Sequence, residues 1–93
     1  MDGAYEPISK IVYSREFERI LIRYKKNKNL FERITRQIEK IIHEPSIGKP
    51  LRYSFKNCRR VHVGSFVLVY EFHGRELRFL DFNHHDKIYE KYS

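Results

Sequence analysis

The chain of 93 residues has one cysteine, Cys58, so no intrachain disulfide can form. A lone thiol suits a reducing compartment, and a cytoplasmic location is expected. No stretch approaches the roughly 18 apolar residues that a membrane span needs. The start, Met1-Asp2-Gly3-Ala4-Tyr5-Glu6-Pro7, lacks the positive region and apolar run of a secretory leader. No membrane partner is expected. Also missing are a Gly-rich phosphate loop, a Gly-x-Ser-x-Gly elbow, a His-x-x-x-His pair and paired cysteines. Nothing therefore calls for a nucleotide, a metal or another small-molecule cofactor.

What is present is a globular composition. Seven Phe and seven Tyr, with many Ile, Leu and Val, give a single domain over residues 1–93 enough apolar bulk for one core. Nineteen Lys and Arg stand against twelve Asp and Glu, a net charge of +7. Such a field draws polyanions, although a solvated basic surface without a dedicated partner would look the same.

Along the chain, Ile8 to Tyr13 reads as a short opening strand after Pro7. Ser14 is placed to cap a helix over Arg15 to Lys26, in which Phe17, Ile20, Leu21 and Tyr24 share one face. Asn29, with Glu32 three residues on, resembles a capping box that opens a second helix, and Pro45 stops it. Its apolar face carries Phe31, Ile34, Ile38, Ile41 and Ile42, and a short link makes the two helices an antiparallel hairpin. Arg15, Arg19, Arg23 and Lys26 line the first helix, and Arg33, Arg36 and Lys40 the second. These stripes are either solvated faces or nucleic-acid contacts.

After Ser46-Ile47-Gly48-Lys49-Pro50 the period becomes two. Leu51, Tyr53 and Phe55 alternate with Arg52, Ser54 and Lys56; Val61 and Val63 alternate with Arg60 and His62. Gly64-Ser65 is a turn. Phe66 to Phe72 is apolar on both parities over its first five residues, as in a central strand covered on both sides. His73-Gly74 then leads into Glu76 to Phe82. The expected fold is α+β, ordered β-α-α-β-β-β-β, with the N-terminal strand and the helical hairpin on one face of an antiparallel sheet and the other face open.

The tail from Phe82 to Tyr92 concentrates titratable groups. Imidazole titrates near neutral pH, and RNA cleavage by its own 2′-hydroxyl needs a base, an acid and cations for the phosphate. His84, His85, Arg60 and His62 could fill those roles without metal; equally, the two histidines could simply finish the strand against backbone and solvent. His62, His84, His85 and Asp86 include zinc-ligand types, but adjacent histidines diverge on an extended chain. Tyr89 and Tyr92 are either base-stacking or core-packing aromatics.

Four segments resemble the RelE/ParE superfamily of toxins from toxin-antitoxin pairs. They are Lys49-Pro50-Leu51, Cys58 to Gly64 (Cys-Arg-Arg-Val-His-Val-Gly), Phe66 to Glu71 (Phe-Val-Leu-Val-Tyr-Glu) and His84 to Tyr89 (His-His-Asp-Lys-Ile-Tyr). The resemblance implies a metal-independent endoribonuclease that cuts mRNA on the ribosome and is neutralised by a cognate antitoxin. On that reading Arg60 and His62, with Arg59 and Arg52 nearby, bind RNA phosphate. His84 or His85, and preferentially His85, takes the C-terminal catalytic position, with Tyr89 as the aromatic partner. Two positions depart from the family pattern: Val67 stands where many ribonuclease members have Arg, and Asn83 where they have Gly. Other members are ParE-like inhibitors of DNA gyrase or have no known activity. A non-nucleolytic toxin and an inactive antitoxin-binding relative are the alternatives.

Overall fold

The computed structural model describes residues 7–51 and 55–92. Strand β1 (Lys10–Tyr13) leads to Ser14, whose extended backbone and side chain cap helix α1 (Arg15–Tyr24). The Ser14 Oγ accepts the Phe17 N–H at 3.1 Å, and its hydroxyl donates to the Leu80 carbonyl, which also ties the helix start to the sheet. Helix α2 (Lys28–His43) is capped by Asn27 and not by Asn29: the Asn27 Oδ1 accepts the Leu30 N–H at 3.1 Å. Asn29 lies inside the first turn, too late to serve the leading N–H groups. The buried stripe of α2 is accordingly Leu30, Ile34, Ile38 and Ile41, with Phe31 and Ile42 half-buried at its flanks.

Of the strand expected over Leu51 to Lys56, the described residues Leu51, Phe55 and Lys56 are not in a strand. Strand β2 is only Lys49–Pro50, Leu51 leaves it, Phe55 lies in a bend, and Lys56-Asn57 form a turn with Asn57 at φ 69°. Arg52, Tyr53 and Ser54 lie outside the described residues. Leu51 instead packs into the core beside Cys58. Strands β3 (Cys58–Val63), β4 (Phe66–His73) and β5 (Glu76–His84) form the expected antiparallel meander. Gly74 and Arg75, both with positive φ, make the tight turn between β4 and β5.

The sheet order is β1-β5-β4-β3-β2, and β1 runs parallel to β5. The sheet is thus antiparallel from β2 to β5 only. Helices α1 and α2 cover one face over Val63, Leu68, Tyr70, Leu77, Phe79 and Phe82. The other face is not open as expected. A third helix, α3 (His85–Lys91), follows β5 and packs Ile88 against Val67 and Val69. The physical reason lies in β4, where Val67, Leu68, Val69 and Tyr70 are all 0% exposed, so both faces need cover.

Tyr70 also organises the loop after α2. Its hydroxyl donates to the Pro45 carbonyl at 2.6 Å and accepts the Gly48 N–H at 2.9 Å. A Cβ at Gly48 would stand 2.6 Å from that oxygen, so only glycine lets the loop approach. Burial pushes the Tyr70 hydroxyl above its ordinary value, and burial followed by the Asp81 carboxylate does the same to Tyr92.

Tyr70→Phe is expected to lower the unfolding free energy by about 1–3 kcal/mol in urea titration, because two buried backbone groups lose their partner. An unchanged midpoint would mean that water replaces the hydroxyl. Both tyrosines hold their proton more tightly folded than unfolded. Stability is therefore full below the ordinary value of about pH 10 and is lost as pH rises past it. The Tyr70→Phe/Tyr92→Phe double variant should lack most of that alkaline loss, and a loss of equal size would assign it to other groups.

Candidate active face

On β3, side chains alternate across the sheet, so Arg59, Val61 and Val63 face the α1/α2 side while Cys58, Arg60 and His62 face the α3 side. Register continues these rows: His62 pairs with Val67 and Val67 with Asn83; Arg60 pairs with Val69 and Val69 with Asp81. The two candidate phosphate-binding arginines are thereby separated. Arg59 donates from Nη1 to the Gly48 carbonyl and holds the 46–48 loop. Arg60 is half-buried on the α3 side and donates from Nη1 to the Pro50 carbonyl at 2.7 Å. Its Nε is buried without a partner among the described residues. A guanidinium carries five donors, so Arg60 retains N–H groups for an anion.

The two histidines diverge. His84 is the last residue of β5 and pairs with Phe66; its ring stacks on the Phe66 ring at 4.3 Å. Phe66 stacks on Phe82 at 4.9 Å, so His84 belongs to an aromatic cluster on the α1/α2 side. His85 starts α3, with its N–H donating to the Ser65 carbonyl at 3.0 Å. Its Nδ1 lies 2.9 Å from the Asp86 Oδ1, which leaves Nε2 as the nitrogen open to proton transfer. One helical turn on, the Tyr89 ring lies 6.0 Å from the His85 ring, and the Arg60 guanidinium carbon sits 5.7 Å from the Tyr89 centroid. The structure thus joins Arg60, Tyr89 and His85 in one contiguous series, with exposed His62 on the same sheet face. Arg52 lies outside the described residues.

The placement of His85 and Tyr89 depends on residues the sequence reading did not single out. A register shift at Val69/Tyr70 makes a bulge, since Val69 pairs with Asp81 but Tyr70 with Phe79, and Leu80 joins the α3-side core. Asp81, only 3% exposed, accepts the Phe82 N–H on Oδ1. Its Oδ2 accepts Lys91 Nζ at 2.8 Å and the Tyr92 hydroxyl at 3.2 Å. A carboxylate within the apolar run Leu80-Asp81-Phe82 was the available signal, because a buried charge requires partners. Asp86 was legible as a zinc-ligand type in the tail, and the structure shows it instead as the partner of His85 Nδ1.

Val67 occupies the position where the resemblance leads one to look for Arg, and it is fully buried between His62 and Asn83 under Ile88. That strand position contributes packing and no cation. Among the described residues no three His, Cys, Asp or Glu side chains converge to hold a metal ion. No described helix is long and apolar enough to cross a membrane. Cys58 is buried, and burial followed by Glu71 raises its thiol above the ordinary value, the opposite of an activated nucleophile.

Asp81→Ala should release the end of α3. Amide exchange over residues 85–92 is expected to speed up by about tenfold or more while β3 and β4 stay protected. Unchanged protection would mean that Ile88 alone seats the helix.

A sequence model of the family described as ParE toxin of the type II toxin-antitoxin system parDE matches residues 11–89. A Methanocaldococcus jannaschii chain that bears the name toxin RelE4 is 37% identical over 70 residues, spanning 72% of this chain and 74% of its own. Among solved structures, YafQ from Escherichia coli superposes with a TM-score of 0.70 at 20% identity, covering 85% of this chain and 96% of that one. The RelB-RelE antitoxin-toxin complex of Methanococcus jannaschii matches with a TM-score of 0.63 at 19% identity, over 88% and 99% of the two chains. At such identities the two structures speak to fold, and both agree with the α+β architecture described above.

Proposed function

We propose, from the premise that this chain belongs to the ParE toxin family of type II toxin-antitoxin systems, that it is a toxin acting as a metal-independent endoribonuclease on mRNA. The observation that carries this reading is the series Arg60–Tyr89–His85 on a single solvent-facing surface. His85 Nε2 acts as acid or base toward the 2′-hydroxyl or the leaving 5′-oxygen. Arg60 and His62 steady the phosphate as it gains charge, and Tyr89 orients the nucleotide by stacking. Cleavage on the ribosome is part of the proposal, since a half-exposed site gains from a template that presents the strand. The protein works in the cytoplasm and is held inactive by a cognate protein antitoxin; the RelB-RelE structure is one such pairing in a chain of the same fold.

A second reading is supported by Val67, whose burial removes the central-strand cation of many ribonuclease members. In that reading the chain is a ParE-like toxin that blocks gyrase without cutting RNA.

The discriminating experiment is induction in cells with primer extension on an abundant message. Wild type should give translation-dependent cuts, and His85→Ala, folded by circular dichroism, should lose them by about 100-fold or more. Tyr89→Ala should weaken cleavage more than Tyr89→Phe, which keeps the ring. Growth arrest with intact message and impaired DNA supercoiling would replace the ribonuclease by the gyrase reading.

A further inference from the structure

Strand β2 covers only two residues of its neighbour: Lys49 pairs with Arg60 and Pro50 with Arg59. Beyond them β3 has no strand partner on that side among the described residues, so Val61, His62 and Val63 form a sheet edge. In an antiparallel ladder alternate residues turn both backbone groups the same way. The Cys58 carbonyl points outward to accept the Leu51 N–H, so the backbone groups of His62 also face outward. The His62 carbonyl takes Gln37 Nε2 at 3.4 Å, which holds α2 against this edge.

Two depressions flank the edge, and His62 and Gln37 line both. One, of about 140 Å³, is bounded by Arg33, Arg36 and Lys40 of α2. The other, of about 260 Å³, is bounded by Lys49 and Arg60. Neither has a carboxylate in its wall. Glu39 and Glu44 line a separate depression that shares Arg36 and Lys40 with the first and Ile47 with the second. Among the described residues Arg33, Arg36, Lys40 and Lys49 take part in no ion pair. Positions 33, 36, 37 and 40 fall on one helix face and span roughly 10 Å along the axis.

We propose that this edge is a track for the phosphodiester backbone of single-stranded RNA, with Arg33, Arg36 and Lys40 on one side and Lys49, Arg60 and His62 on the other, leading to Tyr89 and His85. It rests on the ribonuclease reading for its direction, but its binding function does not require cleavage. A protein partner would need large apolar anchors at the centre of its footprint, and these walls are more polar than apolar, their apolar residues being Ile47 and the two valines. A strand of phosphates needs only spaced cations and displaces counterions as it binds. Arg60 links the track to the candidate active face, since the residue borders the second depression and its guanidinium stands over Tyr89.

The test uses the full chain carrying His85→Ala, so that RNA survives, and a labelled short single-stranded oligoribonucleotide of mixed sequence followed by anisotropy across a salt series. Arg33→Ala/Arg36→Ala/Lys40→Ala should weaken binding by roughly tenfold or more and reduce the slope of log affinity against log salt by about 2. The control Arg15→Ala/Arg23→Ala/Lys26→Ala removes the same charge from α1 and should change affinity by no more than about threefold. A parallel arm measures co-sedimentation with ribosomes, and loss there with intact oligonucleotide binding would overturn the single-strand track in favour of a ribosomal RNA contact. Equal effects of the two triple variants, or no change in either arm, would overturn the track. So would an effect of the α2 triple confined to antitoxin binding. Failure of the ribonuclease reading would show separately, as toxicity and uncut message in the parent chain while RNA binding persists.

Discussion

Strand β4 sets the terms for the rest of the molecule. Val67 and Val69 point to one side and Leu68 and Tyr70 to the other, and none of the four reaches solvent. A strand that is apolar on both faces cannot stay at a half-wet sheet surface, because each uncovered side chain of this size forfeits about 1.5–3 kcal/mol of burial. The helical hairpin covers one face, and α3 must cover the other. The third helix is thus a consequence of β4 before it is a carrier of functional groups.

That requirement also explains how a rather open site acquires defined geometry. Helix α3 is too short to be stable by itself, and it is held by Ile88 in the α3-side core and by the Asp81 carboxylate beneath its last turn. With its middle and its last turn fixed, the helix presents His85 and Tyr89 on one face of a single turn toward Arg60. The buried carboxylate has little value as a stabiliser in isolation, but it specifies where the helix ends. The same packing closes position 67 to a charged side chain, so a cation serving this face stands elsewhere, as Arg60 does on β3.

Much of the fold was legible because it depends on local periodicity. The 3.6-residue pattern of Phe17, Ile20, Leu21 and Tyr24, the cap at Ser14, the turn at Gly64 and the two apolar strands all reappear in the structure. Other features were hidden for physical reasons. Asn27 and Asn29 have the same side chain, and which one caps depends on where α1 releases the chain. The alternation from Leu51 to Lys56 had strand form, but Asn57 takes a left-handed conformation and the chain turns there. Tail residues rich in His, Asp and Lys carry no strong helical period, so α3 was visible only indirectly, in the double-sided apolarity of Phe66 to Tyr70.

The sequence by itself determined the class of the molecule: a basic, single-cysteine α+β chain with resemblance to a toxin family and its candidate groups gathered around Arg60, His62, His84, His85 and Tyr89. Those are properties of composition, spacing and motif, which survive without knowledge of any long-range contact. The tertiary structure decided which of these groups meet. Strand alternation divides Arg59 from Arg60, and the passage from strand to helix turns His84 and His85 to opposite sides of the sheet. Neighbours in sequence part because a β-strand reverses its side chains at every residue, while Arg60 and Tyr89, far apart in the chain, are joined because β4 needs a helix on its second face.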